Sequence, residues 1–172
     1  MNERRFWELV ETHVERGTGA VLNSRPLVRA LASLAPEDIA AFDQMFRDLH
    51  AQSCSYRLWG AAELLLGGCS DTAFDGFRAW LIGMGEQTFR NALIDPDSLA
   101  DVVESDSRDF ECEELLRAAP EAFEVATGGK DLEQPSLELP EAGTPVDFDD
   151  PEAMRRLYPR LYDRFGPSAV VP

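Results

Sequence analysis

Apolar side chains recur at helical spacing through most of this chain. Phe6, Trp7, Leu9, Val10 and Val14 predict a helix over 3–16, stopped by Gly17-Thr18-Gly19. Leu27, Val28 and Leu31 predict a second over 24–33, with Ser24 as N-cap and Pro26 in its first turn. Ile39, Phe42, Met45, Phe46 and Leu49 share one face of a third, 36–51. Pro36, Glu37 and Asp38 suit its positive end, but the preceding Ala35 has no side-chain acceptor for the orphan N–H groups.

Residues 55–66 are apolar almost all round, which places this helix at the centre of a bundle. Gly67-Gly68 ends it, and Ser70 or Asp71 caps the next helix, 71–84, with Phe74, Phe77, Trp80, Leu81 and Met84 inward. A short helix carrying Phe89, Ala92 and Leu93 comes next. Asp95-Pro96-Asp97 opens another over 96–103, and 109–118 and 120–127 read as two more. Residues 129–148 hold Pro135, Pro140 and Pro145 among scattered acids without apolar period, the mark of an extended arm. Asp149 or Asp150 with Pro151 starts a last helix, 151–157, and Pro159 breaks or kinks the chain beyond it. No strand is expected.

The expectation is an all-α, single-domain bundle of about seven to nine helices with a Pro-rich extended segment near the C-terminus. Its parts are a helical domain over 1–128, the arm over 129–148, and a C-terminal helix and tail over 149–172 that pack back on the domain. Trp7, Trp59 and Trp80 read as core, the last two burying against each other across the glycine turn.

With 16 basic and 32 acidic residues, the chain carries a net charge of −16. That field argues against nucleic acid and anionic membrane as partners. The charge is uneven. Residues 1–100 hold fourteen acids and nine bases, 101–154 hold seventeen acids and three bases, and 155–172 hold four arginines and one acid. Arg155, Arg156, Arg160 and Arg164 are therefore expected to fold back onto acidic surface. No apolar run is long enough to span a membrane. Met1–Arg5 leads into an amphipathic pattern unlike a secretory signal, and Cys54, Cys69 and Cys112 form no paired framework. A reducing cytoplasm fits that usage.

Gly67-Gly68-Cys69-Ser70-Asp71 is the densest candidate for chemistry. A thiol at a helix N-terminus can become a nucleophile, and the same N-terminus can hold an anion. A glycine stop and a Ser/Asp cap explain the same residues structurally, and no phosphate-loop lysine is present. Glu63, the one charge inside its apolar helix, needs a partner. Arg78 or Arg57 is expected to supply it, and a buried pair of that kind would cost ~3–5 kcal/mol to break. His50 and Cys54, four apart, are weak zinc candidates without a second ligand pair. A calcium loop counted from Asp95, through Asp97 and Asp101, would need Gly where Ala100 stands and Glu where Asp106 stands. No Ser-His-Asp spacing can be read, and no cofactor or resident metal is implied.

Phe6-Trp7-Glu8-Leu9-Val10, Leu58-Trp59-Gly60-Ala61-Ala62, the run Gly67-Gly68-Cys69-Ser70-Asp71 with Phe74, Phe77-Arg78 and Trp80-Leu81-Ile82, then Asp95–Ala100 and Tyr158–Leu161, together resemble an uncharacterised bacterial family. It is known only as a domain of unknown function, mostly in small soluble proteins, some within larger chains that carry a tryptophan-glycine-arginine module. The likeness implies no reaction. Ala35 departs from its usual capping hydroxyl. Thr72 stands where a second acid often follows Asp71, which weakens a metal role there.

Two functional expectations result. One is an interaction or accessory module that binds an unknown protein partner, basic or neutral, through its acidic 101–154 half with Glu111, Glu113 and Glu114, as a monomer or weak homo-oligomer. The other is a small-molecule-binding protein or enzyme whose pocket gathers Glu63, Cys69, Ser70, Asp71 and Arg78 at the turn.

Overall fold

The computed structural model describes residues 1–17, 20–104 and 107–167. Helix α1, Glu3–His13, begins at Asn2, whose side chain accepts from Arg5 N–H. It is shorter than its apolar pattern because Val14 turns extended and Glu15–Arg16 (β1) pairs antiparallel with Leu22–Asn23 (β2). This two-stranded ribbon corrects the expectation of no strand; four residues offer too little alternation to be read. Of the predicted Gly17-Thr18-Gly19 stop, Thr18 and Gly19 lie outside the described residues.

Helix α2, Arg25–Ala32, is preceded by Ser24, but Asn23 Oδ1 takes the Arg25 N–H at 3.1 Å while Ser24 is buried with helical torsions. Helix α3, Pro36–Gln52, starts at Ala35 in extended geometry without a side-chain cap. Helix α4, Tyr56–Leu66, is capped by Ser55, and α5, Asp71–Gly83, by Ser70. Then come α6, Glu86–Ile94, a 3-10 helix, Pro96–Asp101, α7, Glu113–Leu116, and α8, Ala118–Thr127. Residues 109–112 stay outside any helix, so the helix predicted over 109–118 shrinks to one turn, and α8 opens two residues before Pro120. Beyond the loop after α8, α9 spans Pro151–Leu157 and α10 spans Pro159–Phe165. Pro159 thus starts a helix, where its fixed φ is useful. The described residues hold ten α-helices and one 3-10 helix, above the range of about seven to nine, and α10 is the one that no segment of the sequence pattern anticipates.

Helix α5 is the hub. Nine of its thirteen residues are buried, and it packs on α1, α3, α4, α6 and α7. Helices α2, α3 and α8 close one flank, while α10 joins α4 and the 3-10 helix on the other. The two central tryptophans do not touch. Trp59 stacks on Phe74 at 4.6 Å, and Phe74 reaches Trp80 through Phe77, at 6.4 and 5.6 Å. Trp80 meets Phe110 edge-on at 5.3 Å, and Phe110 meets Phe165 at 6.1 Å. One aromatic ladder thus runs from the α4–α5 turn to α10.

Helix α10 is held by a carboxylate distant in sequence. Asp97, buried on the 3-10 helix, accepts from the backbone N–H groups of Arg160 (3.1 Å) and Leu161 (2.9 Å) and from Arg160 Nε at 3.2 Å. It does the work of an N-cap while the local candidate, Tyr158, directs its hydroxyl to Arg57 O at 2.7 Å. Gly60 lets the Tyr158 ring in, since a Cβ there would lie 2.8 Å from Tyr158 Cζ. The predicted fold-back of the basic end is met by Arg160, which pairs with Asp97 and Asp101. Arg164 instead donates to the carbonyls of Ala100 and Val103, and Arg155 lies over the Tyr162 ring. Residues 168–172 of the predicted tail lie outside the described residues. No helix among the described residues is long and apolar enough to cross a membrane.

Candidate functional site

The turn between α4 and α5 is built by local rules. Gly67 adopts φ 72°, a left-handed cap that only glycine takes without penalty, and the N–H groups of Gly67 and Gly68 both return to Glu63 O. Ser70 Oγ then accepts from Ala73 N–H at 3.2 Å. Trp59 closes the turn from α4 by donating its indole N–H to Cys69 O at 3.0 Å.

Cys69 is half-buried beside Glu63, Glu111 and Asp71, and burial with those acids pushes its thiol up to about 12. Burial comes first, and the three acids add to it. The thiol stays protonated at neutral pH, and the geometry gives no support to a thiolate nucleophile. Asp71 stands exposed in the first turn of α5. Glu63 is half-buried, and burial together with the nearby Asp149 charge pushes its carboxyl above the usual range. The Cys69 backbone and the Trp59 indole offset part of that rise.

Arg78 departs from its expected pairing. It is buried on α5 and reaches α3, with Nη1 donating to His50 O at 2.7 Å and Nη2 pairing with Asp75, while Cζ lies 4.9 Å from the Phe74 ring centre. Asp75 sits three residues earlier on the same helix and reaches the guanidinium within one turn. Neither Arg78 nor Arg57 forms an ion pair with Glu63 among the described residues. Of the five residues predicted to form a pocket at the turn, Glu63 lines the cavity beside it, Cys69, Ser70 and Asp71 lie at the turn outside that lining, and Arg78 clamps α3 to α5 instead.

His50 donates from Nε2 to Asp75 O at 3.0 Å and stacks on Phe46. Burial, then the Arg78 charge, hold its pKa below the ordinary value, so it is neutral near pH 7. Cys54, half-buried, lies one turn on. No group of three His, Cys, Asp or Glu side chains is placed to hold a metal ion among the described residues. The Asp106 position of the discarded calcium loop lies outside them.

Glu111, Glu113 and Glu114 are exposed, the last two opening α7. Their segment runs along α5 because Gly76 has no side chain. Cys112 N–H donates to Gly76 O at 3.0 Å, and a Cβ on Gly76 would lie 3.3 Å from Glu111 Cβ. This brings Glu111 onto the same side as Asp71 and Glu63. Burial and the Glu113 charge push the Glu111 carboxyl up.

Beside the glycine turn opens a cavity of about 460 Å³. Glu63, Arg108 and Asp149 supply its charged groups, and Phe148, Met154 and Phe165 supply much of its wall. Arg108 Nη1 lies 3.3 Å from the carbonyl oxygens of both Leu64 and Leu65, so it caps the C-terminal end of α4. A Cβ on Gly67 would lie 2.8 Å from that nitrogen, a second demand for glycine there. A larger cavity, about 510 Å³, is lined by α3, the 129–148 segment, Glu3 and Arg90; its one cation, Arg90, is already paired with Glu3, and Asp48 and Glu138 are its other charged groups.

Sequence reasoning found the Glu63 edge of the smaller cavity and missed Arg108 and the wall from α9 and α10. The available signal was Arg108 itself, one of three basic residues among the seventeen acids of 101–154. Residues 1–125 match a family described as a protein of unknown function, DUF4240. No curated protein and no solved structure matches the chain.

Proposed function

This chain belongs to the DUF4240 family, a membership that carries no reaction, and from its geometry we propose that it is a small-molecule-binding module. The cavity beside Gly67 and Gly68 is the binding site. The observation that carries this reading is the composition of that cavity. It has about 460 Å³, an apolar and aromatic wall, and three charged side chains brought from separate segments. Binding sites for small molecules have that size and that ratio of apolar to polar lining. The protonated Cys69 favours binding over thiol chemistry at this turn. A fragment screen by thermal shift and ligand-detected NMR tests it. Met154→Trp, which fills the cavity, should abolish the hits, while helical circular dichroism stays native. Hits unaffected by that substitution would place binding elsewhere and end this reading.

A second reading is favoured by a different observation: Glu63, Asp71 and Glu111, from three separate segments, all act on Cys69, so their charges share one face with Glu113 and Glu114 nearby. Such a face suits a basic protein partner. Glu111→Lys, Glu113→Lys and Glu114→Lys together should abolish capture of a partner at low salt. Unchanged capture would remove this face from consideration.

A further inference from the structure

Resting on the small-molecule reading above, we infer that the cavity beside the α4–α5 turn takes an organic cation, an ammonium group carried on an apolar or aromatic body. Two carboxylates, Glu63 and Asp149, stand in the lining. Leu64, Gly67 and Gly68 bring the C-terminal end of α4 to the same wall, where the Glu63, Leu64 and Leu65 carbonyls are already satisfied and the two carboxylates are left as the groups for a cation. The opposing charge is Arg108, which is already engaged. Its Nη1 bridges Leu64 O and Leu65 O, and its Cζ lies 6.0 Å from the centre of the Phe165 ring.

The start of α9, a further source of positive potential at the rim, is also satisfied. Helix α9 begins at Pro151 in the lining, but Asp150 Oδ1 accepts from the N–H groups of Glu152 (2.9 Å) and Ala153 (3.3 Å). An anionic ligand would meet two carboxylates and a capped helix start. A cationic ligand would meet those carboxylates and the ring of Phe148 in the lining, and aromatic rings attract cations through their quadrupoles. Tyr162 and Phe165 are already engaged by the protein's own cations, with Arg155 4.8 Å from the centre of Tyr162 and Arg164 5.2 Å from that of Phe165, which leaves Phe148 for a ligand. The repulsion that Glu63 feels from Asp149 is relieved by a positive group placed between them.

Three probes of matched shape test this on the full chain: 4-phenylbutylamine, 4-phenylbutanol and 4-phenylbutanoate, titrated at pH 7 and low salt. Trp59 fluorescence reports binding, because its ring lies 6.4 Å from that of Phe148. The amine should bind about tenfold more tightly than the alcohol, and the carboxylate least. Asp149→Asn and Glu63→Gln should each reduce the preference for the amine over the alcohol several-fold. Asp149 is exposed, so its variant tests the charge without threatening the fold. Equal binding of all three probes, or tightest binding of the carboxylate, overturns the cation assignment and leaves the cavity as a binding site. Binding of none of them at millimolar concentration, with fragment hits absent too, overturns the small-molecule reading itself.

Discussion

Replacing Asp97 by alanine removes a carboxylate that caps a helix 62 positions further along the chain. The native group accepts from the N–H groups of Arg160 and Leu161, near the start of α10, and from Arg160 Nε. Loss of an N-cap costs about 1 kcal/mol. Hydrogen bonds to a charged acceptor contribute about 1.5–3 kcal/mol, and Asp97 is only 5% exposed, so the deserted N–H groups regain little water. The guanidinium contributes less, because Arg160 is half-exposed and keeps Asp101 and the Asp97 carbonyl as partners. The combined expectation is about 3 kcal/mol, or roughly 6–12 °C in Tm for a domain of this size. Asp97→Asn keeps one acceptor oxygen and loses the charge, so it should fall between wild type and Asp97→Ala. Urea unfolding at pH 7 measures the loss. Hydrogen exchange locates it, with Pro159–Phe165 exchanging faster while α5 stays protected. If both variants lie within about 0.5 kcal/mol of wild type and exchange of α10 is unchanged, the long-range cap does not hold that helix.

Gly60→Ala improves helix propensity by about 1 kcal/mol, yet it drives a Cβ to 2.8 Å from the rigid, buried Tyr158 ring, so a net destabilisation of about 1–2 kcal/mol is expected by urea titration. In a Tyr158→Leu background the penalty should shrink, and an unchanged penalty would point to another cause. Ala35→Ser adds the missing acceptor at the start of α3 and should raise stability by about 1 kcal/mol, read as a Tm increase. With its thiol pushed up to about 12, Cys69 is roughly one part in ten thousand thiolate at pH 8. Mass-spectrometric mapping of iodoacetamide labelling should find it far slower in the native protein than in urea. Glu63 has a folded pKa raised above its unfolded value, so its protonated form favours the native state. Its stabilising contribution is full below the unfolded pKa and is lost as pH rises through the folded one. Glu63→Gln should therefore hold or raise Tm at pH 7, with the difference vanishing near pH 4.

The helices were legible because their signals act over three or four residues. Pro36 with Glu37 and Asp38, Ser70 before α5, Asp95 before the 3-10 helix and Asp150 before α9 all lie beside the ends they mark. The apolar stripes between them come from the 3.6-residue turn. The α4–α5 turn was legible for the same reason, and with it the Glu63 edge of the cavity. Local rules misled where two neighbours competed for one role. Asn23 took the bond expected of Ser24, and Asp75 took the guanidinium expected of Glu63. Arg108, the α9–α10 wall and the reach of Asp97 to α10 were not legible, because each joins groups tens of residues apart. Composition and period say which faces must be buried. They do not say which distant face covers which, since that choice depends on how the helices close loops and fill one another's gaps at Gly60 and Gly76.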